Sequence, residues 1–139
     1  MSAPAGYDLS VETPPIDDYL RLRRISGLSP KTEEGARAGL PNSFCGVLVR
    51  HDGAAVGMGR VIGDGGLFFQ IVDIAVDPAH QGRGLGKAIM AALMETLKAQ
   101  APSDAYVSLI ADGEAWRLYE QYGFKPTAPV SIGMAMKLP

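Results

Sequence analysis

Val72-Asp73-Ile74-Ala75-Val76-Asp77-Pro78-Ala79-His80-Gln81-Gly82-Arg83-Gly84-Leu85-Gly86-Lys87 is the stretch on which the fold turns. An apolar run ends at Asp77-Pro78, a glycine-rich turn follows, and a helix begins where the turn stops. Leu85, Ile89, Leu93 and Leu97 recur every four residues, so one stripe of a helix over about Gly84 to Gln100 faces a core. Gly82, Gly84 and Gly86 remove side chains where backbone must come close to something. The first turn of the helix offers unpaired N–H groups and the positive end of its dipole. Together these features form a seat for a phosphate or diphosphate, with Arg83 and Lys87 as further donors.

Two other phosphate loops fail on spacing. A dinucleotide fingerprint needs G-x-G-x-x-G, whereas the glycines here stand at alternate positions. A P-loop needs Ser or Thr after its lysine, and Ala88 stands there.

Outward from this stretch the chain alternates strand and helix signals. Upstream, Tyr7 to Glu12 alternates as a short strand, and Thr13 is a candidate cap for a helix over about Ile16 to Ser26. Ser29-Pro30 opens a second helix near Thr32 to Ala38. Phe44 to Val49 and Ala54 to Ile62 read as strands joined at His51-Asp52-Gly53, a hairpin signal. Leu67 to Val76 is so continuously apolar that a strand buried on both faces is expected. Downstream, Pro102 stops the long helix and Tyr106 to Ile110 reads as a strand. Glu114 to Tyr122 is a short helix closed by Gly123, and Ser131 to Leu138 is a last strand. The order gives a mixed α/β domain around one sheet rather than a doubly wound parallel fold.

The 139 residues suit a single domain spanning residues 1–139. Apolar residues make up 47% and charged residues 20%, the range of globular chains, and a net charge of −2 provides no broad basic field for nucleic acid or anionic membrane. One cysteine, Cys45, cannot build a disulfide framework, which fits a reducing cytoplasm. The first ten residues lack the basic and apolar regions of a signal peptide, and no apolar run is long enough to span a membrane. His51, His80 and Cys45 make no metal-ligand spacing, so no metal is expected. His51 reads as a solvated turn residue, Cys45 as core and Trp116 as helix packing.

Gln81-Gly82-Arg83-Gly84-Leu85-Gly86 fits the Gln/Arg-x-x-Gly-x-Gly/Ala signature of the GCN5-related N-acetyltransferases. Leu118-Tyr119-Glu120-Gln121-Tyr122-Gly123-Phe124 is similar to that family's C-terminal Leu-Tyr-x-x-x-Gly-Phe. The chain resembles this family across nearly its whole length. The resemblance implies a largely antiparallel central sheet of six or seven strands, splayed between strands 4 and 5 and flanked by about four helices. It implies acetyl-CoA as cosubstrate, with pantetheine against the backbone of Ile74, Ala75 and Val76. The diphosphate would lie on the amides of Gln81 to Gly86, with Arg83, Leu85 and Lys87 in the same cofactor-binding segment. A backbone N–H near Val76 would polarise the thioester carbonyl. Tyr119 is implied as the general acid for the leaving thiolate, with Tyr122 the competing phenol.

The base is not assigned: a water chain or bulk solvent could take the proton of the amine, and Asp73 and Asp64 are the side-chain candidates. Where histone-modifying members carry a glutamate, this chain has Gln70, which cannot take a proton. Asp112 stands where the family often has a cofactor-contacting Asn. Acceptor specificity is expected from Tyr19, Arg23, Arg24, Arg60, Asp64, Phe68 and Phe69, with Asp73 either an acceptor contact or the partner of an arginine. Arg60 and Asp64 could anchor an acceptor or bond each other across a turn. Phe68 and Phe69 face opposite ways, so only one can line a pocket. The expected reaction is acetyl transfer to the primary amine of a small molecule by direct attack in a ternary complex. A protein or peptide acceptor and a non-catalytic CoA-binding module are the alternatives. Members of the family often pair, so a homodimer is a further expectation, with Met134 and Met136 as candidate interface residues.

Overall fold

The computed structural model describes residues 3–139, which divide into two compact units, one ending at Leu109 and the other running from Ile110 to Pro139. The first unit holds a five-stranded sheet in the order β1-β2-β3-β4-β5, formed by Asp8–Ser10, Cys45–His51, Ala54–Gly63, Phe68–Val76 and Tyr106–Ser108. Neighbours run antiparallel except β4 and β5, which are parallel. Helices α1 (Ile16–Ile25), α2 (Glu33–Gly39) and α3 (Leu85–Gln100) complete this unit. Among the described residues the second unit holds one further α-helix, α4 (Trp116–Glu120), the fourth in the chain.

The hairpin between β2 and β3 forms at the expected place. Asp52 and Gly53 both have positive φ, 49° and 82°, the combination that matches the twist of two adjoining strands. After β3 the chain reverses around Asp64, whose carboxylate accepts N–H groups from Gly66, Leu67 and Phe68 at 2.8, 2.7 and 3.2 Å. Helix α2 is capped by Thr32, whose hydroxyl accepts the Gly35 N–H at 3.0 Å. Thr13 does not cap α1. That helix starts after Pro15, whose fixed φ suits the entry to a first turn.

Strand alternation sends Leu48 and Met58 to one face, where Tyr19 and Leu22 of α1 and Ala36 of α2 pack against them. The opposite face carries α3. There Gly57 and Gly59 clear the way for the helix: a Cβ at Gly59 would meet Ile74, Ile89 and Leu93 at 2.7, 2.8 and 2.9 Å. This close approach brings the start of α3 beside the end of β4.

Among the described residues the sheet has five strands, not six or seven. Residues 131–139 pair with no strand among the described residues, and Ile132, Met134, Met136 and Leu138 are exposed. An alternating apolar pattern sets which side chains share a face, but a strand exists only where a neighbour completes its hydrogen bonds. Strand β4 is also not buried on both faces. Phe69, Ile71 and Ala75 are buried while Leu67 and Phe68 are exposed, so the apolar run covers two wet positions at its start.

Candidate functional site

Strand β4 has two unusual features. Its ladder with β5 covers only Phe68↔Tyr106, Phe69↔Val107 and Gln70↔Ser108. From Ile71 to Val76, β3 is its only ladder partner among the described residues. The second feature is a bulge. Met58 stands opposite Ala75 and Arg60 opposite Val72, so Asp73 and Ile74 together face Gly59 alone. Asp73 takes φ = 60°, a left-handed conformation that Asp tolerates better than most residues.

The bulge turns Asp73 into a buried charge cluster. Its carboxylate, 4% exposed, accepts from Arg23 Nη1 at 2.6 Å and Tyr19 Oη at 3.0 Å on one oxygen and from Arg60 Nε at 2.8 Å on the other. Arg60 Nη1 also donates to Ser43 Oγ at 2.7 Å, and Arg23 donates to the Ser29 carbonyl through Nε and Nη2 at 2.8 and 2.6 Å. Burial and the Asp73 carboxylate raise the pKa of the Tyr19 phenol, which keeps it a donor. Arg60 and Asp64 each have other partners: Arg60 bonds Asp73 and Ser43, while Asp64 holds its turn. The N–H groups of Gly66, Leu67 and Phe68 keep the Asp64 carboxyl below the usual carboxylate range. Phe68 is 62% exposed and meets Tyr106 edge-on, whereas Phe69 is 2% exposed against Phe44.

Beyond Val76, Asp77 caps a single 3-10 turn by accepting the Ala79 N–H at 2.9 Å. Gln81 Nε2 then reaches back to the Val76 carbonyl at 3.1 Å, fastening the glycine loop to the end of β4. Gly82 and Gly84 have φ of 77° and 81°, so these two positions require glycine for backbone reasons. A Cβ at either would meet nothing within 4 Å, so the side-chain direction there opens onto free space. Gly84 is the N-cap of α3 and supplies no side-chain cap. Its carbonyl accepts the Ala88 N–H at 3.0 Å, leaving Leu85 and Gly86 as first-turn donors with no partner from the helix ladder. The third glycine has a different job, since Gly86 lies inside the helix.

Tyr7 joins this loop from a distant part of the sequence. Its hydroxyl is 2.8 Å from His80 Nδ1 and accepts from Arg83 Nη1 at 3.1 Å. His51 is not a solvated turn residue. Its ring lies 5.1 Å from Tyr7 and 4.9 Å from His80, centroid to centroid. Nothing in the sequence marked Tyr7, which is brought in by the pairing of β1 with β2. Ser43 was likewise unmarked.

In the second unit, Tyr119 is half-buried on α4. Burial and the Asp112 carboxylate both push its phenol pKa up, so it holds its proton through the neutral range. Its carbonyl accepts the N–H groups of Tyr122 and Phe124 at 2.9 and 3.4 Å, closing the helix at Gly123, whose φ is 93°. Trp116 is exposed rather than packed, with the Arg117 guanidinium 4.7 Å over its ring. Cys45 is half-buried, and burial raises its thiol pKa, the opposite of an activated nucleophile. Among the described residues no three His, Cys, Asp or Glu side chains converge as metal ligands, and no helix is long and apolar enough to cross a membrane.

The domain model for the acetyltransferase (GNAT) domain matches residues 42–126. A solved structure described as a probable acetyltransferase of unknown function from meticillin-resistant Staphylococcus aureus is 46% identical. It superposes with a TM-score of 0.89 over 95% of this chain and 99% of that one. A histone acetyltransferase of Glycine max is 36% identical over 70 residues, which are 50% of this chain and 29% of that protein. A chloroplastic serotonin N-acetyltransferase of Oryza sativa subsp. japonica is 32% identical over 83 residues, 60% of this chain and 40% of that protein. The matched stretches thus span well under half the length of these curated relatives.

Proposed function

From the premise that this chain belongs to the acetyltransferase (GNAT) family, we propose that it is an acetyl-CoA-dependent N-acetyltransferase acting on a primary amine of a small molecule. The observation that carries the reading is the loop at the start of α3. Two glycines with positive φ and open space around them precede a helix whose first turn has amides to spare. An anionic diphosphate fits this seat by both hydrogen bonding and helix dipole. Gln81, Gly82, Arg83, Gly84, Leu85, Gly86 and Lys87 would hold it, and the backbone of Ile74, Ala75 and Val76 would hold the pantetheine arm.

The reaction needs no covalent enzyme intermediate. A neutral amine attacks the thioester carbon, a tetrahedral oxyanion forms, and its collapse breaks the C–S bond and releases a thiolate. Binding both reactants together supplies much of the rate, and a backbone donor at the oxyanion supplies more. The departing thiolate takes a proton from the Tyr119 phenol, whose raised pKa leaves that proton in place at neutral pH. The amine's own proton leaves through water, because Gln70 offers no base.

Acetyl-CoA and a panel of amines and peptides, read by released thiol, test the reaction. Tyr119→Phe is expected to lower kcat by about 10²–10⁴-fold, the usual contribution of a positioned acid. Full turnover by that variant across the panel removes Tyr119 as the acid. Acetylation confined to peptides moves the acceptor to the protein class that the Glycine max relative's name suggests. Acetyl-CoA binding with no acceptor turned over leaves a CoA-binding module. A homodimer and a cytoplasmic location belong to the same reading, checked by sedimentation and by imaging of the tagged chain.

A further inference from the structure

On the face of the sheet covered by α1 and α2 lies a cavity of about 200 Å³ lined by Tyr19, Lys31, Thr32, Ala36, Leu40 and Arg60 among others. Its charge is one-sided. No carboxylate is in the lining, while Arg60 and Lys31 both are. Arg60 belongs to the cluster in which two guanidiniums share the single carboxylate of Asp73, so that cluster carries an uncompensated positive charge. Of the Arg60 nitrogens, Nε is taken by Asp73 and Nη1 by Ser43, and Nη2 has no partner among the described residues. The Lys31 ammonium makes no ion pair or hydrogen bond among the described residues. Holding buried positive charge in excess is unfavourable unless something anionic completes it. In a chain of net charge −2, such an excess is a local feature rather than a general field.

We propose that this cavity binds the oxyanion of the acceptor, so that the substrate is a small amine bearing a carboxylate or phosphate. The amine part of this statement rests on the acetyl-transfer reading above; the oxyanion part rests on the cavity alone. The fork of Arg60 is held rigid by Asp73 and Ser43, and a preorganised guanidinium loses little freedom on meeting an anion. The same Asp73 sits in the bulge of β4, on the stretch that has no β5 partner. The anion seat is therefore one side chain removed from the strand segment proposed to hold the thioester arm.

Matched pairs test it. L-Amino acids against their carboxamides form the carboxylate arm, and O-phosphoethanolamine against ethanolamine forms the phosphate arm. Binding is read by calorimetry and transfer by released thiol. At least one charged member is expected to bind tenfold or more tightly than its neutral twin, about 1.4 kcal/mol. Lys31→Glu reverses a charge at an exposed, unpartnered position. It is expected to cut that preference at least threefold while leaving the melting temperature unchanged. Equal binding of charged and neutral twins in both arms, or no binding of any member, overturns the inference. Unchanged preference in Lys31→Glu also overturns it. Tight binding of a charged member with no thiol released upholds the anion seat and removes the acetyl-transfer reading instead.

Discussion

Asp73→Asn isolates one electrostatic quantity with little disturbance elsewhere. Asparagine tolerates the left-handed φ of 60° at this position about as well as aspartate does, so the backbone of the bulge is preserved. What changes is the charge. Arg23 and Arg60, with side chains 9% and 11% exposed, would share no counter-ion in their place. Removing one member of a buried ion pair costs about 3–5 kcal/mol because the other is left uncompensated. The amide oxygen of Asn can still accept one of the three donors, which puts the expected loss near the lower end, about 3 kcal/mol. Against a total stability of about 5–15 kcal/mol, this is a large fraction. Urea unfolding followed by far-ultraviolet circular dichroism at about pH 7 gives the number. Adding Arg60→Met removes one orphaned cation and is expected to recover part of the loss, with a coupling of about 0.5–3 kcal/mol in the double-mutant cycle. An Asp73→Asn protein within about 0.5 kcal/mol of wild type, the range of ordinary surface substitutions, would refute the view that Asp73 is the shared counter-ion of the two arginines.

Two other perturbations probe the loop and the acid. Gly84→Ala forces a Cβ into the left-handed region at a strain of about 1–2 kcal/mol and sets a methyl over the proposed diphosphate seat. Gly65→Ala, at φ = 84° and equally open, carries the same strain far along the chain. Calorimetry should show acetyl-CoA affinity falling at least tenfold in the first (about 1.4 kcal/mol) and unchanged in the second; similar losses in both would mean that strain alone is being measured. At Asp112, a negative charge disfavours the Tyr119 phenolate and so raises that pKa. Asp112→Asn removes the charge, so the alkaline limb of the kcat–pH profile is expected to move to lower pH, and a limb that stays or moves upward contradicts the assignment.

The sequence alone determined the features that depend on near neighbours along the chain. The hairpin at Asp52-Gly53, the stripe of Leu85, Ile89, Leu93 and Leu97, and the glycines before α3 are all local statements about φ, spacing and unpaired amides. Each can be made from a few consecutive residues. Gly59 was less legible, because its reason for being glycine is a helix that arrives some thirty positions later. The last strand was misread for a related reason: residues 131–138 alternate correctly, but alternation cannot say whether a hydrogen-bonding neighbour will be there. Trp116 reads as helix packing from its residue type, although type does not fix which way a short helix faces.

The candidate site divides along the same line. The seat at Gln81 to Gly86 could be read in order along the chain. The cluster of Tyr19, Arg23, Arg60 and Asp73 could not, because its four members come from α1, β3 and β4 and meet only once the bulge swings Asp73 toward the helices. Tyr7 on Arg83 and His80 is the same case, a contact across most of the sequence. Backbone conformation is set largely within a few residues and is written in the sequence. The balance of buried charge depends on which distant side chains share one small volume, and that is decided by the tertiary fold.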